Sequence, residues 1–135
     1  MQRLDPNASI STTQEAKQYL EFLKDKKVFP YMIDAYFFAA AYAMNRDVEV
    51  EPVSGLKTLA QNISFVDSDV FLALDAAVKA ICKRKGKPEP KDNKEVANIV
   101  IQYAEAGLKL LKARWEGKIK SQIQNDICKI IVNNE

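Results

Sequence analysis

The sequence predicts an all-α, single-domain bundle of about five helices around a central apolar helix, residues 31–44, with little or no sheet. Three observations lead there. The stretch Tyr31 to Met44 has apolar residues on every side and one formal charge, Asp34. Four other stretches repeat apolar residues at helical spacing. The chain has only four Gly and five Pro in 135 residues, too few for long irregular segments. A helix that is apolar all round is either buried or a membrane span. Some fourteen residues fall short of the roughly twenty a bilayer needs, so burial at the centre is expected.

In chain order, residues 1–10 show no period and read as a flexible tail, with residues 11–135 as the helical domain. Thr12 followed by Glu15 has the spacing of a capping box for a first helix carrying Ala16, Tyr19, Leu20 and Leu23. Lys24, Lys26 and Lys27 suit the negative end of its dipole, and Val28-Phe-Pro30 stops it. After the central helix, Val48 to Pro52 alternates over too few residues for more than an extended connector or one edge strand. Residues 56–62 read as a short helix or 3₁₀ turn. Asp67 and Asp69 open the next helix, with an apolar stripe of Val70, Phe71, Leu74, Ala77, Val78 and Ile81. Residues 83–92 form the clearest loop, and Asp92 or Asn93 caps the helix that follows, with Glu95 as box partner. In that helix Val96, Ile99, Val100, Tyr103, Gly107, Leu110 and Leu111 share a face. A mid-helix glycine costs about 1 kcal/mol against alanine, so Gly107 is expected to mark a close helix crossing. Gly117 either kinks one long helix or separates two, the last carrying Ile119, Ile123, Ile127, Ile130 and Ile131.

The net charge of +2 conceals an asymmetry: residues 1–78 carry a net −4 and residues 79–135 a net +6. The basic cluster Lys79, Lys83, Arg84, Lys85, Lys87 and Lys91 is the candidate nucleic-acid-binding surface; the competing reading is a solvated loop. The chain has no His, which removes the usual general base at neutral pH and the commonest zinc ligand. No Gly-rich loop is present to hold nucleotide phosphates. No catalytic residue, metal site or cofactor is therefore expected. Asp67, Asp69 and Asp75 supply oxygens of the kind a hard cation uses, but read first as helix-starting acids. Glu89-Pro-Lys91 and Glu116-Gly-Lys118 echo the Glu-x-Lys of nucleases without a strand to carry it. Asp34 is expected either as an N-terminal cap or as a buried polar contact. Cys82 and Cys128 lie in helical patterns and are expected as reduced, buried thiols. No signal peptide or transmembrane run is read in the sequence, which points to a cytoplasmic protein.

Phe29-Pro30, Asp34-Ala35, Phe38-Ala-Ala-Ala41 and Tyr103-Ala-Glu-Ala-Gly-Leu108 with Leu111 resemble, in order and separation, a known family over residues 15–130. It is that of the small helical proteins that accompany bacterial DNA phosphorothioation (Dnd) gene clusters. The resemblance implies an intracellular bacterial protein beside machinery that exchanges a phosphate oxygen for sulfur, or beside the restriction arm that senses the mark. It brings no catalytic residues. The functional expectation is a non-catalytic accessory or adaptor protein of a DNA modification or defence system. It would contact a larger protein of a modification or restriction complex, with no membrane. The alternative is a helical DNA-binding protein using residues 79–91.

Overall fold

A computed structural model describes residues 10–60 and 68–133. The order is β1 (Ile10–Thr12), α1 (Gln14–Asp25), α2 (Met32–Asn45), β2 (Lys57–Ala60), α3 (Ser68–Arg84), α4 (Asn93–Arg114) and α5 (Lys120–Asn133). The fold is all-α in class, with one small sheet. Residues 1–9 of the expected tail lie outside the described residues. Ile10, also assigned to that tail, is fully buried in β1.

The strand pair corrects the expectation for residues 56–62. Lys57–Ala60 is extended and pairs antiparallel with β1, in the register Ser11 to Thr58 and Thr12 to Lys57, with an irregularity between Ile10 and Ser11. Segments this short carry almost no periodic signal of their own. Their conformation is set by a partner some fifty residues away, which no local pattern reports. Val48 to Pro52 has no regular structure and is the connector.

Thr13, not Thr12, caps α1: its hydroxyl accepts the Ala16 N–H at 3.1 Å. Ala16, Leu20 and Leu23 form the buried side of α1, leaving Tyr19 half-buried and Phe22 exposed. Asp92 caps α4 through the Glu95 N–H at 2.9 Å, and the Glu95 carboxylate accepts the Lys91 N–H in return. Gly117, at φ +77°, turns the chain between two separate helices.

The central helix is α2, and it packs most extensively on α4. Ala35, Tyr36, Phe37, Ala39, Ala40, Tyr42, Ala43 and Met44 are buried. The helix is not hidden on every side, however. Asp34, Ala41 and Asn45 are exposed and Phe38 is half-buried, a stripe at i, i+4, i+7 and i+11 that faces outward. Alanine is apolar in a hydropathy pattern yet tolerates water, so Ala41 disguised this face. The crossing with α4 is close because Gly107 has no side chain. A Cβ built there would sit 1.9 Å from the Ala39 carbonyl oxygen. Leu110, grouped with the inner face of α4, is instead 40% exposed. Cys82 is buried, but Cys128 is exposed.

These contacts predict a sharp contrast between two glycines. Gly107→Ala must separate two backbones and is expected to cost at least about 3 kcal/mol, at or beyond the usual range for overpacking. Gly117→Ala has open space around it and only the left-handed φ to strain, a cost of about 1 kcal/mol. Urea denaturation of the two variants measures both.

Candidate functional site

The buried carboxylates come first, because they fix what the surface can present. Glu105 lies in the interior of α4, 5% exposed. It accepts the Thr12 hydroxyl at 2.8 Å, the Thr13 hydroxyl at 2.7 Å and the Thr13 N–H at 3.2 Å. The Tyr36 hydroxyl donates to it at 2.7 Å, with the Ser11 carbonyl oxygen 2.9 Å away. Burial, and then the negative charge of Glu105, push the Tyr36 hydroxyl well above the usual tyrosine range. A buried carboxylate is tolerated when hydrogen bonds replace its water. Here those bonds tie β1, the start of α1, α2 and α4 to one point.

The second cluster fastens α5. Arg114 grips Asp126 with two bonds, Nε to Oδ2 at 2.6 Å and Nη2 to Oδ1 at 2.8 Å. The Trp115 indole N–H donates to Oδ2 at 2.7 Å, and Arg114 Nη1 reaches the Tyr42 hydroxyl at 3.3 Å. The Arg114 hydrogen bonds hold the Asp126 carboxyl down at about 2. Ile123 and Ile130 supply the apolar part of the attachment. The third carboxylate, Asp75, is fully buried, with no hydrogen bond to either oxygen among the described residues. Its ion pair is with Lys79 at 3.3 Å, one turn along the same helix.

Of the basic cluster, Lys79 is paired with Asp75, and Arg84 and Lys85 meet Asp47 at 2.8 and 3.4 Å. Lys79, Lys83 and Lys87 line a shallow depression with Ala80 and Glu89, while Lys91 stands at the far end of the loop. Asp34 is neither cap nor buried contact. Tyr31 takes the cap position without a side-chain bond, and Asp34 is exposed, where partial desolvation raises its pKa. Of the buried acids, Glu105 and Asp126 were missed, and Asp75 was read only as a helix-starting acid or cation ligand. The signal was available, since each sits inside an apolar helical stripe: Ile101 to Leu108, Ile123 to Ile130, Leu74 to Val78. Asp67 lies outside the described residues, Asp69 is exposed and Asp75 is buried, so the latter two point apart. Among the described residues no three His, Cys, Asp or Glu side chains are placed to hold a metal. Neither Glu-x-Lys copy lies on a strand. Among them, too, no helix is long and apolar enough to cross a membrane.

A groove of about 670 Å³ lies between α1 and α4. The two helices run side by side in the same direction. Thr13 meets Glu105 at one end, and the Lys112 ammonium lies 5.9 Å from the centre of the Tyr19 ring two turns on. Glu15, Gln18, Tyr19 and Phe22 line the α1 wall. Lys109, Lys112 and Ala113 line the α4 wall, and Trp115, Glu116 and Lys118 line the groove from the turn that follows. Tyr19 and Phe22 stack with ring centres 5.7 Å apart, and Lys26 lies 5.2 Å from the Phe22 centre. Burial pushes the Tyr19 hydroxyl up to about 12, so it stays neutral and can donate a hydrogen bond. Phe22 is 41% exposed, a large aromatic group with no packing reason to face water. It stands beside the stripe Ala16–Leu20–Leu23 rather than on it, and that offset was the sequence's sign of the groove.

Comparison with known proteins adds no relative: no family model, no curated protein and no solved structure matches the chain.

Two stability experiments follow from the clusters. Glu105→Gln places an amide among donors that need an acceptor and is expected to cost about 2–3 kcal/mol in chemical denaturation. The folded pKa of Asp126 is depressed, so its contribution is present above the unfolded carboxylate pKa and is lost as pH falls towards about 2. Thermal melts between pH 5 and pH 2 should show an acid-dependent loss that Asp126→Asn abolishes, at the expense of lower stability at neutral pH.

Proposed function

We propose that this protein is a non-catalytic accessory or adaptor module that acts through protein–protein contacts made in the α1–α4 groove. The observation that carries the reading is the combination of stacked, solvent-facing aromatic rings and flanking lysines on two parallel helices. Aromatic anchors inside a charged rim are the usual makings of a protein-binding hot spot. The buried clusters below the groove hold its walls in register, which favours a preformed binding surface. The resemblance to the phosphorothioation-associated proteins supplies a context. The partner would then be a larger protein of a cytoplasmic DNA modification or defence complex.

The basic segment supports a second reading, direct DNA contact, through the depression lined by Lys79, Lys83 and Lys87. Pairing of Lys79, Arg84 and Lys85 with acids of the same chain weakens that reading, because each pair must open before a phosphate is met.

Purification from the native host separates the two. The adaptor reading expects a larger protein to co-purify with the wild type and with the Lys83→Glu/Arg84→Glu/Lys85→Glu variant, and to be lost with Phe22→Asp. A wild-type protein that elutes alone would sink it. The DNA reading expects duplex binding that falls steeply between 50 and 200 mM salt, about tenfold or more per few phosphates neutralised, and disappears in the triple variant.

A further inference from the structure

We infer that the α1–α4 groove is a vacant helix position in the bundle, and that its occupant is an amphipathic helix of another protein with acidic residues along one flank. The inference rests on the adaptor reading above and names the chemistry of the partner segment.

On α1 the wall residues Glu15, Gln18, Tyr19 and Phe22 stand at i, i+3, i+4 and i+7. On α4 the wall residues Lys109, Lys112 and Ala113 stand at i, i+3 and i+4, and Glu116 follows in the turn after the helix. Two parallel helices that each show such a stripe to a shared trough make the seat that a third helix fills, ridge into groove. The α1 stripe is about 10 Å long, two turns of helix. Its charged groups are spread from Glu15 on α1 to Lys109, Lys112, Glu116 and Lys118 on the other side instead of converging on one point. That suits a rod with an apolar edge better than a small ligand, whose site gathers polar groups around it.

Charge selects the occupant. Lys109 and Lys112 stand on the α4 wall, and Lys118 lies in the lining beyond the end of α4. Against these three lysines the lining has two acids, Glu15 and Glu116, towards opposite ends, and Lys26 adds a further cation beside the Phe22 ring. A helix lying here meets aromatic surface along its centre and positive charge along the α4 side. A second copy of this chain does not supply it. Among the described residues, Val70 of α3 and Leu110 of α4 are exposed singly, without an apolar stripe, and the exposed pair Ile131 and Val132 of α5 belongs to a segment with Lys120 and Lys129 whose single acid, Asp126, is locked to Arg114.

Trp115 is the only tryptophan of the chain and lines the groove, so its fluorescence reports occupancy. Two synthetic 18-residue helices with the same leucine stripe serve as probes, one flanked by Glu and one by Lys, with a twenty-nucleotide oligo-dT as the nucleic-acid probe. The Glu-flanked helix should give a saturable Trp115 change and bind at least tenfold more tightly than the Lys-flanked one. The Lys109→Glu/Lys112→Glu variant should invert that preference, a gain of binding that misfolding would not produce. Equal binding of the two helices, no saturable change with either, or tighter binding of the oligonucleotide would overturn the inference. A photo-crosslinking residue at Gln18, used in the native host, separates the two levels of the reading. A protein crosslinked through an acidic helix supports both. A protein crosslinked through some other kind of segment ends this inference alone, and no crosslinked protein ends the adaptor reading with it.

Discussion

The fold depends on how closely α2 and α4 approach each other. That distance is set by the absence of one side chain, at Gly107, against the backbone of Ala39. Ala35, Ala39, Ala40 and Ala43 on one helix and Ala104 on the other are buried with little or no exposure. Small residues at a crossing bring backbones together, and bulk must then be supplied to the sides. Tyr36, Phe37, Tyr42 and Trp115 supply it. Because interiors are packed at close to crystal density, a change of one methyl at the crossing is transmitted to every element resting on the pair.

Each buried acid shows a different solution to the same electrostatic problem. Glu105 replaces its water with four donors and no cation within the set. Asp126 is held by a bidentate guanidinium and an indole, so charge and hydrogen bonding act together. Asp75 has a lysine on its own helix and no hydrogen bond among the described residues. The first two are fully satisfied and join elements distant in sequence. The third contributes least to cohesion, since a buried ion pair with imperfect bonding gains little over its desolvation cost.

Sequence reasoning reads best where the cause is local. The α4 cap, the stops at Pro30 and Gly117 and the apolar stripes all act within a few residues, helix boundaries came within one or two positions, and the α1 cap was misplaced by one residue, Thr12 for Thr13. The role of Gly107 was also legible, because glycine in mid-helix is costly enough to demand a reason. What escaped was long-range. The β1–β2 pairing joins residues 10–12 to 57–60, and nothing in either segment names the other. The groove was not read. Phe22 stands beside the α1 stripe, but that it shares a groove with Lys112 and Ala113 depends on how α1 lies along α4. The basic loop attracted attention by density of charge, while the acids that neutralise part of it, Asp47 and Glu49, sit more than thirty residues earlier.

The Glu105 cluster also fixes an order of events in the life of the chain. Thr12 and its carboxylate partner are 93 residues apart. At ribosomal speeds of about 5–20 residues per second, roughly 5–20 s pass between their emergence. Over that interval Thr12, Thr13 and Tyr36 have left the ribosome but the acceptor they share has not. β1 thus waits for α4 before it is locked down, although it is made well before that helix, and a nascent chain stalled before α4 would leave those hydroxyls to water.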